Sequence, residues 1–244
     1  AATLTHDEHK QVIEFTLEVV NRRIPVIAGT GSNSTAEALQ LTVFAEKSGC
    51  DGALIITPYY NKPTQNGLYN HYKEIAEHVD IPIILYNVPS RTGISILPET
   101  VAKLSEMKNI VGIKEASGSL DQVSKIISLC SDNFDVLSGD DSLTLPIMSV
   151  GGKGVISVAA NIMPAQVKDM VQSMLSNNWD HARKIHIQLF NIFKALFIET
   201  NPIPVKTCLF LMKMINLELR LPLTPPSEEN KKKIEGVLKQ YHLI

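Results

Sequence analysis

The stretch IVGIKEASG, residues 110–118, decides how the rest of the chain is read. Ile110, Val111, Gly112 and Ile113 have the composition of a buried strand. Lys114 follows, just ahead of the turn signal Ala116-Ser117-Gly118. Five other runs share this design: IPVIAGTG (24–31), GALIITPYY (52–60), IPIILYNVP (81–89), FDVLSGDD (134–141) and GVISVAAN (154–161). Their apolar character is nearly continuous, which marks strands covered on both faces. Segments with helical spacing lie between them, such as 34–49 and 66–79. Strand and helix alternating at this interval predict βα units and a parallel sheet.

Polar residues gather where each run ends: Thr30 and Ser32; Thr57, Tyr59, Tyr60 and Asn61; Tyr86, Asn87 and Arg91; Lys114 and Glu115; Ser138, Asp140 and Asp141; Asn161. In a (β/α)8 barrel these ends share one rim, where the active site lies. A doubly wound sheet would concentrate its chemistry at one switch point instead. No GxGxxG follows a strand and no GxxxxGK[ST] occurs, so the nucleotide-binding folds are weakly supported. Past residue 162 the pattern becomes helical, over 164–176, 178–198, 203–216 and 227–242. The expected architecture is α/β: a barrel over 1–176 and a C-terminal helical domain over 177–244.

Composition narrows the function. The 244 residues are 44% hydrophobic and 20% charged, with a net charge of -2. No basic surface for nucleic acid follows from this. Lys231-Lys232-Lys233 stands among Glu228, Glu229 and Glu235 and reads as a solvated helix face. Cys50, Cys130 and Cys208 are far apart, without metal-ligand spacing, and an odd number suits a reducing compartment. No apolar run reaches the ~18 residues of a membrane span. The expectation is a cytoplasmic protein without metal. Near the start, Thr5 and Glu8 have capping-box spacing, which predicts a helix beginning at once.

Lys114 has two readings. Its stem could pack on the sheet with the ammonium in solvent or against Glu115. Alternatively, an amine at a partly desolvated strand end, with a depressed pKa, can attack a carbonyl carbon. Tyr86 ends the preceding strand and can relay a proton to the hydroxyl that leaves during imine formation. Arg91 follows on a loop stiffened by Pro89 and eased by Gly93, where a guanidinium can grip a carboxylate with two hydrogen bonds.

The motifs YNVPSRTG, GIKEASG and GVISVAAN, with TPYYNKPTQNGLYNHYKEIA and NPIPVK (201–206), resemble the pyruvate-dependent class I aldolase and lyase superfamily, and within it the dihydrodipicolinate synthase family. The resemblance runs in order over essentially the whole chain. It implies a (β/α)8 barrel with a C-terminal helical domain, usually a homotetramer. It also implies condensation of pyruvate with aspartate-4-semialdehyde in lysine biosynthesis, with no metal or organic cofactor. By position, Lys114 corresponds to the Schiff-base lysine and Tyr86 to the acid–base tyrosine. Arg91 corresponds to the residue that binds the semialdehyde carboxylate, and Tyr60 to a tyrosine entering the neighbouring subunit's site. Gly139 and Ile156 correspond to positions lining the pyruvate pocket. Ala2, Leu4, His6, His9, Asn33, Glu37 and Tyr59 correspond to a cleft where L-lysine acts as feedback inhibitor. Sibling activities, such as N-acetylneuraminate lyase or a keto-sugar-acid aldolase, would share the lysine and tyrosine.

One departure stands out. The family carries a GTTGE motif just ahead of a segment like Ala2-Thr3-Leu4, and this chain begins at that segment. Six of the eight strands are therefore expected, as an open barrel edged by IPVIAGTG and GVISVAAN, with the threonine relay absent. A catalytically impaired barrel fragment is the corresponding alternative to an active enzyme.

Overall fold

Thr5 and Glu8 cap the first helix reciprocally, and the computed structural model describes residues 2–244 from there onward. The Thr5 hydroxyl accepts from the Glu8 amide at 3.2 Å, and the Glu8 carboxylate accepts from the Thr5 amide at 2.9 Å. Two donors left over by the helix start are thereby satisfied, and α1 (His6–Val20) follows.

The chain divides into two compact units. The first comprises residues up to Gly139 together with Ser149–Lys153. Here β1 (Ile27–Gly29), β2 (Gly52–Ile56), β3 (Ile83–Asn87), β4 (Ile110–Glu115) and β5 (Asp135–Ser138) pair in chain order, all parallel. Between them run α2 (Thr35–Ser48), α3 (Gln65–Ala76), α4 (Pro89–Thr92), α5 (Pro98–Ser105) and α6 (Leu120–Leu129). This is the expected βα succession. Among the described residues, β1 has a strand neighbour on one side only, that of β2.

Side chains alternate across the sheet. Ile55, Leu85 and Ile113 are register partners on one face, all fully buried. That face meets the helices: the Tyr72 hydroxyl of α3 donates to the Ile55 carbonyl at 3.1 Å. The alternate positions Ile56, Tyr86 and Lys114 share the other face and are only half-buried.

The second unit holds Asp140–Met148 and Gly154–Ile244. It contains β6 (Gly154–Val155), α8 (Pro164–Leu175), α9 (Trp179–Ala195), α10 (Ile203–Leu211) and α11 (Glu228–Gln240); α7 (Thr144–Ser149) lies at its boundary. Met170, Leu189, Ile192, Phe193 and Leu238 form its core.

The strands are shorter than the apolar runs suggest. Pro58 and Pro82 have no N–H for a ladder, and Tyr60 and Lys62 take left-handed backbone, at φ 72° and 43°. The run 154–161 yields two strand residues, because the amides of Val158 and Ala159 turn to the Asp141 carboxylate at 3.1 and 3.0 Å. The helix expected over 203–216 stops at Leu211, with Lys213 left-handed at φ 61°.

Candidate active site

Tyr86 and Lys114 are register partners at the ends of β3 and β4. Parallel pairing thus makes neighbours of residues distant in sequence. Lys114 Nζ lies 4.2 Å from the centroid of the Tyr86 ring, well inside the ~6 Å over which a ring face attracts a cation. The ring therefore holds the lysine side chain over the phenol. Burial pushes the Tyr86 hydroxyl pKa above its ordinary value, and the nearby Arg91 charge pulls against that rise.

Arg91 reaches this end of the sheet on α4. Pro89 occupies the first turn, where its missing N–H costs no helical bond, and Gly93 ends the helix left-handed at φ 73°. The Arg91 side chain is exposed. Gly139 follows β5, and its amide donates to the Glu115 carbonyl at 2.8 Å. A methyl group on Gly139 would stand 2.6 Å from Ala116 Cβ and 3.2 Å from Lys114 Cε. Glycine thus leaves room for the lysine stem. Tyr60 is 89% exposed and projects from the loop after β2. Ile156 is half-buried just after β6, in the second unit.

Asn87 and Glu115, one position beyond Tyr86 and Lys114, read in the sequence as strand-end polar residues, with Glu115 also a candidate counter-ion of Lys114. They are also register partners, but on the helix-facing side, and each is almost completely buried. The Glu115 carboxylate accepts from Asn87 Nδ2 at 2.9 Å, Gln122 Nε2 of α6 at 2.9 Å and the Ser117 amide at 2.6 Å. The Glu115 side chain is thus engaged opposite the face that carries Lys114. Period-two alternation was the available signal: if Lys114 faces the site, Glu115 cannot.

Of the residues assigned to a lysine cleft, several converge in the first unit. His6 Nε2 lies 3.9 Å from Glu37 Oε1, and the Ser32 hydroxyl donates to Glu37 Oε2 at 2.8 Å. Asn61 Nδ2 donates to the Asn33 carbonyl at 2.9 Å, while the Asn61 amide donates to the Tyr59 carbonyl at 2.9 Å. His9 donates from Nε2 to the Gly29 carbonyl at 2.9 Å; burial lowers its pKa. Ala2 is exposed and Leu4 half-buried. Among the described residues no cluster of His, Cys, Asp or Glu is arranged to hold a metal, and no helix is long and apolar enough to cross a membrane.

Comparison with known proteins places these residues in context. The model of the dihydrodipicolinate synthetase family matches residues 1–241. A 4-hydroxy-tetrahydrodipicolinate synthase of Geobacter sulfurreducens is 57% identical over the whole chain, which covers 84% of that protein. The crystal structure of dihydrodipicolinate synthase from Aquifex aeolicus superposes with a TM-score of 0.98 at 54% identity, covering 99% of this chain and 83% of that one. The corresponding enzyme of Cyanidioschyzon merolae, whose crystal structure has lysine bound, gives 0.97 at 40% identity, covering 100% and 83%.

Proposed function

The chain belongs to the dihydrodipicolinate synthetase family, and from that premise we propose which of its residues carry the reaction. The reaction is the class I, Schiff-base condensation of pyruvate with aspartate-4-semialdehyde to 4-hydroxy-tetrahydrodipicolinate. Lys114 Nζ, as the neutral amine, attacks the C2 carbonyl of pyruvate. The resulting hydroxyl takes a proton from the Tyr86 phenol and departs as water, leaving a C=N bond to Nζ. The half-buried position of Tyr86, with Lys114 Nζ 4.2 Å from its ring centroid, supports this role.

Arg91 holds the semialdehyde carboxylate through paired hydrogen bonds. That contact disfavours sugar-acid substrates, which offer no carboxylate at that end. Gly139 lines the pyruvate pocket with its backbone. Tyr60 enters the site of a second copy in a homo-oligomer, a role supported by its exposure of 89%. The chain acts in the cytoplasm, the compartment that its three separated, unpaired cysteines suit.

L-lysine is the feedback ligand. Glu37 receives its ammonium, with His6 and His9 alongside, Asn33 and Tyr59 hydrogen-bond its carboxylate, and Ala2 and Leu4 close the wall. Calorimetric titration tests this cleft: no lysine binding at millimolar concentration, or binding indifferent to Glu37→Ala, would defeat it.

The observation that carries the catalytic assignment is the 4.2 Å approach of Lys114 Nζ to the Tyr86 ring. Incubation with pyruvate, borohydride reduction and peptide mapping test it. The adduct is expected on Lys114 and absent in Lys114→Arg, because an arginine stays protonated and cannot attack. An adduct on another lysine would overturn the assignment.

A further inference from the structure

The rung behind the site has a composition of its own. Glu115 is 1% exposed and Asn87 fully buried. The Glu115 carboxylate accepts from three N–H donors, those of Asn87, Gln122 and Ser117. The remaining valences of Asn87 reach downstream. Its Oδ1 accepts from the Ile96 amide at 3.2 Å and its Nδ2 donates to the Ser95 hydroxyl at 3.1 Å. Gln122 Nε2 also approaches the Ile96 carbonyl at 3.3 Å.

These bonds tie together three segments that separate immediately afterwards. Past Asn87 the chain leaves β3 for the loop that carries Arg91, and Ser95 and Ile96 are where that loop is drawn back. Past Glu115 the chain leaves β4 for the turn to α6. The last backbone bonds between these ends are Ala116 N–H to the Asn87 carbonyl at 2.8 Å and Gly139 N–H to the Glu115 carbonyl at 2.8 Å. Beyond them, side chains alone hold the register.

We propose that Glu115 is a positioning residue: through Asn87 and Gln122 it fixes the Tyr86–Lys114 rung and the Arg91 loop in one geometry. The inference rests on the Schiff-base reading of Lys114. A carboxylate suits the task because it only accepts, and every partner here donates. Glutamine at 115 would turn an N–H₂ group toward partners that also donate. Asn87 cannot relieve the clash by flipping its amide without losing the Ile96 amide. The strand ends would then part by a fraction of an ångström, on the side away from substrate.

The test compares wild type, Glu115→Gln and Lys114→Arg in borohydride trapping with pyruvate, per folded molecule as judged by circular dichroism. The expected result for Glu115→Gln is a saturating imine rate lower by on the order of tenfold to a hundredfold, the scale of a sub-ångström to ångström misplacement. The pyruvate concentration at half-saturation should move less than about threefold, since ground-state binding is retained. A purely structural residue would lower the folded fraction and leave the rate per folded molecule unchanged, and that outcome overturns the proposal. If Glu115→Gln does not fold, Gln122→Met removes one donor and keeps the bulk. A loss of roughly severalfold is then expected, in line with one hydrogen bond, and an unchanged rate overturns the proposal. Wild type without any imine would defeat the Schiff-base reading and this inference with it. Imine in wild type at the Glu115→Gln rate would defeat the inference alone.

Discussion

Two adjacent rungs join β3 to β4, and they are built to opposite specifications. Tyr86 and Lys114 meet through a ring face and an amine, half-buried, on the open side of the sheet. Asn87 and Glu115 meet through a hydrogen bond of 2.9 Å, buried, on the helix side. A reactive amine must stay accessible and able to lose its proton, so its rung lies half-buried on the open side of the sheet. A buried carboxylate must have partners, or its desolvation would be ruinous. One step along the strand therefore separates chemistry from support, and substitutions on the two rungs should fail in different ways.

The largest effect should come from the open rung. Tyr86→Phe keeps the ring under Lys114 and removes the proton donor, so stability should barely change while imine formation slows about 10²- to 10⁴-fold. The pH profile separates this role from packing. Burial raises the Tyr86 pKa, so the phenol remains an acid past its ordinary value near 10. Any alkaline decline traceable to Tyr86 should begin above that pH. The stability sign follows: protection from this group is full below the unfolded pKa and fades as pH rises through the folded one. A Tyr86-dependent decline between pH 7 and 9, measured against Tyr86→Phe, would refute the assignment.

Arg91→Ala comes next. Loss of a charge-assisted contact costs roughly 1.5–3 kcal/mol, or about tenfold to a hundredfold in use of the semialdehyde. Pyruvate trapping should be far less affected. Parallel assays of trapping and turnover check the split, and equal losses in both would mean that Arg91 serves pyruvate instead.

Much of this arrangement was legible in the sequence. Lys114 stands out because an apolar run ends in a cation before a turn, and the capping box at Thr5 announced α1 to the residue. The strand lengths were not legible. Hydropathy cannot see that Pro58 and Pro82 withhold donors, or that Asp141 takes the amides of Val158 and Ala159 out of the ladder. The role of Glu115 was also obscured. Beside Lys114 in sequence it reads as a counter-ion, and only the folded chain reveals three donors on the other face, from the partner strand, α6 and the turn after β4.

The buried rung should fail through stability. Asn87→Leu withdraws one donor from Glu115, along with the acceptor for the Ile96 amide. Leaving buried polar groups unsatisfied costs about 1–3 kcal/mol each, more where charge is involved. Urea denaturation should register a loss of at least that size, whereas Tyr86→Phe should register almost none. Equal stability of the two variants would erase the distinction between the rungs.

Gly139→Ala should give the smallest effect and probe both rungs together. The added methyl would meet Ala116 Cβ at 2.6 Å, a distance that forces movement, and Lys114 Cε at 3.2 Å. It would also lie 3.3 Å from the Glu115 carbonyl, the backbone atom shared by the two sides. Ala116 belongs to the backbone tied down by the Asn87 carbonyl, whereas the lysine stem ends in rotatable bonds. The Ala116 contact can be relieved only by shifting tied backbone, at the roughly 1–3 kcal/mol expected of overpacking, whereas the Lys114 contact is relieved by rotating its stem. The variant is expected to lose stability on that scale and to form the imine at a rate reduced about tenfold, a displacement well short of an ångström. Trapping kinetics beside thermal denaturation decide the point. A large stability loss with an unchanged imine rate would show that the open rung is the stiffer of the two.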